Sequence, residues 1–141
     1  MPFRLIEVIS MKKTFKKEER LCSKSDIDAL FHSSSSFVVY PYRVVYTYLP
    51  ADIAAAKVII SVSKRRFKKA HDRNRIKRLM REAYRLQKHA LWQQVSTMKS
   101  ENGAPLRMEL AFVWLAEETL PYAKVYERMG RLLEKIQASL S

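Results

Sequence analysis

From Lys64 to Arg85 the chain reads KRRFKKAHDRNRIKRLMREAYR, and eleven of these twenty-two residues are Lys or Arg against Asp72 and Glu82 alone. The run nevertheless keeps a helical apolar face. At about 100° per residue, Leu86, Leu79, Ala90, Ala83, Ile76 and Met80 share one arc, with Leu91 and Tyr84 at its edge. Arg73, Lys77, Lys88, Arg81, Asn74, Arg85 and Arg78 share the opposite arc. The rest of the fold must therefore cover one side of this helix and leave the other in solvent. That describes a folded basic surface, not a charged tail.

A rigid, densely positive face fits a polyanion, and at this density the polyanion is nucleic acid. Arg outnumbers Lys on the arc. Its planar fork bonds two phosphate oxygens at once and stacks on exposed bases. An ordinary solvated helix face would mix signs, and this one barely does. The whole chain carries a net charge of +13 over 141 residues. Such charge gives affinity by counterion release, and it destabilises the free protein by self-repulsion at low salt.

The length suits one domain, and a hydrophobic content of 48% suits one core. Cys22 is the only cysteine, so no intramolecular disulfide is expected and the chain fits a reducing cytoplasm. No apolar run approaches the roughly 18 residues of a transmembrane span. Met1 to Ser10 lacks the features of a secretory signal, and Met11-Lys12-Lys13 reads as a natural start. Residues 1–10 are accordingly expected to be an extension and 11–141 the domain.

After a charged lead-in over 12–20, Ser25 is expected to cap a short helix through Phe31, with Ile27, Leu30 and Phe31 as its apolar side. His32 and Ser33 to Ser36 read as a loop. Phe37 to Leu49 reads as one long strand in which Tyr40, Tyr42, Val44, Tyr46 and Tyr48 share a face, with Pro41 marking an edge or bulge. Lys57 to Ser63 is a strand whose Val58-Ile59-Ile60 run suggests burial on both sides. Asp72 is expected to cap the basic helix, which would run to Leu91 or Gln94. Met108 to Ala116 is a further strand. A helix begins near Thr119 to Pro121, with Val125, Met129, Leu132, Leu133, Ile136 and Leu140 as its stripe. The order helix, strand, strand, basic helix, strand, helix is α/β.

No metal or catalytic constellation emerges from the spacing. His32, His71 and His89 have no ligand spacing, and Cys22 has no ligand partner. Asp26 and Asp28 read as helix-start charges. The chain has two glycines, Gly103 and Gly130, so a phosphate-cradling glycine loop is excluded.

The segment Arg73-Asn74-Arg75-Ile76-Lys77-Arg78-Leu79-Met80-Arg81-Glu82 resembles the signature of the protein subunit of bacterial ribonuclease P. That signature runs Arg-Asn-Arg-x-x-Arg, usually with Lys before the last Arg and Arg-Glu three residues on. The resemblance continues upstream through the strand Val58 to Lys64 and covers most of Met11 to Ile136. It implies a small single-domain α–β sandwich with a mixed sheet and a basic crossover helix. It also implies a protein cofactor, since in ribonuclease P the RNA subunit is the catalyst and Mg²⁺ on RNA phosphates activates water. One such chain would serve each RNA, removing the 5′ leader of precursor tRNA.

Two surfaces carry over from the resemblance. Lys64, Arg65, Arg66, Lys68, Lys69, Arg73, Asn74, Arg75, Lys77, Arg78, Arg81 and Arg85 would face the catalytic RNA, although the Asn74 amide suits backbone bonding in the crossover equally well. Phe31, Tyr42, Val44 and Tyr46, with Tyr48 beside them, would line a cleft for the single-stranded leader, where rings can stack on bases. Core packing is the competing role for each ring. The chain departs from the family where Ile27 stands in place of an aromatic. It departs again where Phe67-Lys68-Lys69 fills a loop that usually holds Gly, and where Ser33 to Ser36 replaces a short Gly-containing turn. The competing reading of the whole is a ribosomal-type RNA-binding protein with the same basic helix. A DNA-recognition helix would want a helical partner instead of flanking strands.

Overall fold

The computed structural model describes residues 19–140 apart from Cys22 and Ser34. The expected extension over 1–10, most of the charged lead-in and Cys22 lie outside the described residues. The described elements are α1 Lys24–Ser33, β1 Ser35–Val39, β2 Tyr42–Pro50, β3 Ala55–Ser61, α2 Ala70–Gln87, α3 His89–Thr97, β4 Leu106–Trp114 and α4 Tyr122–Leu140.

The strands form one mixed sheet in the order β1-β2-β4-β3. β1 with β2 and β2 with β4 are antiparallel, while β3 and β4 are parallel and joined through α2 and α3. Strand alternation then divides the side chains between two cores. Tyr42, Val44, Val58, Leu110, Phe112 and Trp114 point to one face, where Ile76, Met80, Ala83 and Tyr84 of α2 and Val125, Met129, Leu132 and Ile136 of α4 cover them. Val45 and Ala111 point to the other face, where Leu30 of α1 and Leu21 cover them and Ile27 and Ile59 pack at the margin. Both faces of the sheet are thus used, giving the expected α–β sandwich.

The helix periods read from sequence hold within α2 and α4, whereas Ala90, expected on the apolar arc, lies in α3 and is exposed. The apolar arc of α2 is buried at Ile76, Met80, Ala83 and Tyr84, and the α4 stripe is buried from Val125 to Ile136. α2 and α4 approach closely at Gly130, where a Cβ would lie 2.7 Å from Gln87 Oε1. Gln87 Nε2 donates across this contact to Tyr126 O at 2.9 Å.

Several boundaries differ. The expected long strand is a hairpin, because Tyr40 and Pro41, joined by a cis peptide bond, turn the chain between β1 and β2. Of the expected His32–Ser36 loop, His32 and Ser33 belong to α1 and Ser35 and Ser36 to β1. At the start of α1 the capping oxygen belongs to Ser23, whose Oγ accepts from Asp26 N at 3.4 Å, so the cap is not Ser25. α2 begins two residues before Asp72, with Lys69 at its N-cap. It also stops at Lys88, and a separate helix follows from His89.

That break has a physical cause. Lys88, assigned by the helical wheel to the charged arc, is buried. Its ammonium pairs with Glu19 at 2.6 Å and lies 5.4 Å from the Trp92 ring centroid. The chain reorients around an ion pair that it encloses.

Candidate nucleic-acid interface

Burying one arc of α2 fixes what the other arc does. Asn74, Arg75, Arg78 and Arg81 are exposed, and Lys77 is half-buried along the border. Glu82 is the one acid within this arc, and Arg85 already engages it through Nε at 3.2 Å and through Nη2. That bond holds the Glu82 carboxyl below its usual range and the Arg85 guanidinium above its own. Glu82 therefore pairs with Arg85, and among the described residues no carboxylate forms an ion pair with Arg75, Lys77, Arg78 or Arg81. Arg81 shows the consequence. Partial burial, then the like charges of Arg20 and Arg78, pull its guanidinium below the ordinary value.

The loop before α2 is built partly by its own arginines. Ser63 starts it, accepting Arg65 N on its hydroxyl at 3.0 Å and Phe67 N on its carbonyl at 3.1 Å. Arg73 Nη1 reaches back to Phe67 O at 2.7 Å and Lys68 O at 2.9 Å. Arg66 Nη1 donates to Leu115 O at 2.6 Å, and Leu115 N donates to Pro41 O at 2.7 Å. Arg66 and Arg73 thus hold the loop in shape. Lys64, Arg65, Lys68 and Lys69 are exposed beside them.

The residues assigned to a leader cleft do not come together. Tyr42 and Val44 are wholly buried, and Tyr42 OH donates to Val125 O at 2.9 Å. These two are core residues and offer a base no surface, which corrects that part of the expectation. Burial also raises the Tyr42 phenol pKa. Tyr46 is half-buried on the α2–α4 face, edge-on to Phe37 and to Tyr48 at 5.9 Å between centroids. Phe31 lies on α1, across the sheet from Tyr46, with 42% of its surface exposed. Because β-strand side chains alternate, no even-numbered residue of β2 can share a face with α1.

The residues that do share the α1 face form a row across the sheet. Val38 pairs with Arg43, Arg43 with Val113, and Val113 with Ser61. Val38 and Arg43 are exposed in this row. Sequence reading missed Arg43, although a lone charge inside the apolar run Tyr42–Tyr48 was a usable signal.

Two carboxylates on this face share one guanidinium. Arg107 Nη2 lies 3.2 Å from Asp26 Oδ2 and 2.7 Å from Glu109 Oε2. Among the described residues, no group of three or more His, Cys, Asp or Glu converges on a possible metal site. No helix among them is long and apolar enough to cross a membrane.

A sequence model of the ribonuclease P family matches residues 15–137. The ribonuclease P protein component of Porphyromonas gingivalis strain W83 is 36% identical over 126 residues, covering 88% of this chain and 87% of that one. The chain belongs to the ribonuclease P protein family. Members of this family are subunits of a ribonucleoprotein endoribonuclease. They act as cofactors of its RNA in 5′ processing of precursor tRNA. The family's partners are that RNA and the precursor. A Legionella pneumophila (strain Lens) ribonuclease P protein component is 38% identical over 71 residues, half of this chain and 60% of that one. The fold is shared with the Thermotoga maritima ribonuclease P protein, at a TM-score of 0.59 and 21% identity over 83% of this chain and 96% of that one. It is shared also with a Staphylococcus aureus ribonuclease P protein mutant, at 0.61 and 17% over 86% and 90%. Within the family signature, the first arginine, Arg73, builds the loop, while Asn74, Arg75 and Arg78 face outward.

Proposed function

We propose that the exposed arc of α2 and the adjoining loop bind folded backbone of the catalytic RNA, and that the leader of precursor tRNA crosses the α1 face of the sheet. The observation carrying the first part is the row Asn74, Arg75, Arg78 and Arg81, exposed opposite the buried Ile76, Met80, Ala83 and Tyr84. A rigid helix presents these groups with little ordering cost, and phosphate contact needs no base readout.

The second part rests on continuity. The row Val38, Arg43, Val113 and Ser61 begins at the free edge of β1 and ends at β3, three residues before Lys64 of the basic loop. Phe31 stands on α1, whose Leu30 covers Val45 and Ala111 just beside that row. Single-stranded RNA on this path meets an exposed ring, then a guanidinium, then the cationic loop. Ring stacking with charge tracking is how sequence-tolerant single-strand sites work.

In this reading the chain alone performs no cleavage, and one chain serves one RNA. Mg²⁺ on RNA phosphates supplies the activated water. The described carboxylates suit no such role, because Arg107 and Arg85 already engage the closest of them and no three converge. The test adds purified chain to catalytic RNA and precursor tRNA at low Mg²⁺. Correct 5′ maturation should need both components, and Arg75→Ala and Arg78→Ala should each lower the slope of log K against log salt by about 0.7–0.9. Cleavage by RNA-free protein that is lost on changing one carboxylate would overturn this division of labour.

A further inference from the structure

We propose that Tyr122 and Tyr126 of α4, outside the signature helix, form a platform on which an unpaired base of the bound RNA stacks beside the arginine arc of α2. This inference rests on the reading that the exposed arc of α2 binds RNA.

The fold sets the two helices side by side. Arg66, just before α2, donates from Nη1 to Leu115 O at 2.6 Å, so α2 starts at the end of the sheet where β4 finishes. α4 starts there too, because Tyr42, paired with Trp114 in the sheet, donates from its hydroxyl to Val125 O at 2.9 Å. The two helices therefore run the same way. Further along, Gln87 Nε2 donates to Tyr126 O at 2.9 Å, and Gly130 lies against the Gln87 side chain. Tyr122, Tyr126 and Gly130 are four residues apart, so they form one stripe of α4, and that stripe borders α2. One turn back from Gln87 and from Tyr126 are Ala83 and Tyr122. Glu82 adjoins Ala83, and Arg78 and Arg75 precede Glu82 on its side of α2 by one and two turns. The tyrosine pair thus meets the arc at the Glu82–Arg85 ion pair. Burial, then the charge of Glu82, raises the Tyr122 phenol pKa, in keeping with that placement.

The pair is not spent on the fold. Tyr126 is 40% exposed, with its ring centroid 6.0 Å from that of Tyr122 and the planes inclined at 53°. Tyr122 braces it from the α4 side and leaves its surface open. The Tyr122 hydroxyl is enclosed, with no hydrogen-bond partner among the described residues. The tyrosines that build the core bond theirs, Tyr42 to Val125 O and Tyr84 to Trp92 Nε1. Next to the pair, Glu82 and Arg85 cancel, so this border of the arc draws a phosphate weakly. Arg75 and Arg78 beyond it draw one strongly. A nucleotide has parts that match both zones. Its phosphate fits the arginines, and its uncharged base fits the rings. The base must be unpaired, because stacked pairs in an RNA helix cover their own faces.

Stacking without charge gives a distinct signature. In the full chain, Tyr126→Ala should leave the melt nearly unchanged, since the ring is largely in solvent. It should weaken RNA binding roughly five- to over a hundred-fold, the range for losing one stacked base. The slope of log K against log salt should hold, because no phosphate contact is lost. Tyr126→Phe should bind as the parent does. Tyr126→Leu, apolar but without a ring, should bind as weakly as Tyr126→Ala. Titrating the RNA subunit, and separately titrating assembled holoenzyme with precursor tRNA, assigns the base to whichever RNA loses affinity. Parent-like affinity of Tyr126→Ala and Tyr126→Leu for both RNAs, while Arg75→Ala and Arg78→Ala still bind weakly, would overturn the inference. So would a loss in Tyr126→Ala that Tyr126→Leu restores, which would mean apolar cover in place of stacking. If the arginine variants also bind as the parent does, the α2 interface itself is wrong and the platform falls with it.

Discussion

Lys88 Nζ lies 2.6 Å from Glu19 Oε1, with the Lys88 side chain only 1% exposed and that of Glu19 11%. Two charges so enclosed gain strength from each other and lose hydration, so the pair adds little net stability but is costly to break. Lys88→Ala removes the counter-charge of a mostly buried carboxylate, together with an ammonium 5.4 Å from the Trp92 ring centroid. It should cost about 3 kcal/mol in urea unfolding. Combining Lys88→Met with Glu19→Leu should recover most of that loss. A single-variant cost under about 0.5 kcal/mol would show that water reaches the pair.

Arg73 and Arg75 belong to one signature and should behave differently. Arg73 donates to two loop carbonyls at 2.7 and 2.9 Å, whereas Arg75 is exposed. Arg73→Ala should lower stability by roughly 1–3 kcal/mol, the usual range for losing charged hydrogen bonds at a partly buried site. Arg75→Ala should leave the melt unchanged and lower RNA affinity with its salt slope. Chemical unfolding beside RNA titration separates the two. Equal stability losses for both would remove the distinction.

Glu109 gives the fold a pH dependence of definite sign. Burial raises its carboxyl pKa, Asp26 adds to this, and Arg107 at 2.7 Å offsets only part. A carboxyl with a raised pKa holds its proton more tightly in the folded state. Stability therefore falls as pH rises from the unfolded value of about 4.5 through the higher folded one. Glu109→Gln, which can still accept from Arg107, should be more stable than the parent at pH 7. The advantage should fade to nothing as pH falls below about 4.5. An advantage that stays constant over this range would mean that Glu109 is not the titrating group.

Periodicity made most of the framework legible. Ile76, Met80 and Ala83 in α2 and Val125 through Ile136 in α4 are buried as their spacing requires, since a 3.6-residue repeat directly encodes a face. Alternation in β2 likewise groups Tyr42, Val44, Tyr46 and Tyr48 on one side. What alternation could not say was which side α1 occupies, because that depends on tertiary pairing of Leu30 with Val45 and Ala111. The family resemblance groups Phe31 with Tyr46, although a sheet separates them. The hairpin at Tyr40-Pro41 was hidden because the residues around it continue the strand's composition. The break at Lys88 was hidden because its cause, Glu19, is 69 residues away. Ile27 shows a similar limit. It packs beside Leu21, Leu30, Val45 and Ala111, so its role is in the smaller core and not in an open cleft.

The separation of Phe31 from Tyr46 yields the last test. Phe31 is exposed on the α1 face beside the proposed leader path, while Tyr46 is half-buried against Phe37 and Tyr48 on the opposite face. Phe31→Ala should leave stability nearly unchanged. It should cost about 1–3 kcal/mol of stacking with a leader base, roughly five- to over a hundred-fold in affinity of the holoenzyme for precursor tRNA. Affinity for mature tRNA, which has no leader, should hold. Tyr46→Ala should instead destabilise the fold, by about 2–3 kcal/mol for a partly buried ring, with the ratio of precursor to mature affinity unchanged in the folded fraction. Arg43→Ala should move that same ratio in the direction of Phe31→Ala, because both side chains lie on one face of the sheet. The measurement is the ratio for each variant at fixed salt, beside its melt. If Tyr46→Ala lowers the ratio while Phe31→Ala and Arg43→Ala do not, the leader runs on the α2–α4 side, and the continuity from Val38 to Lys64 does not mark its path.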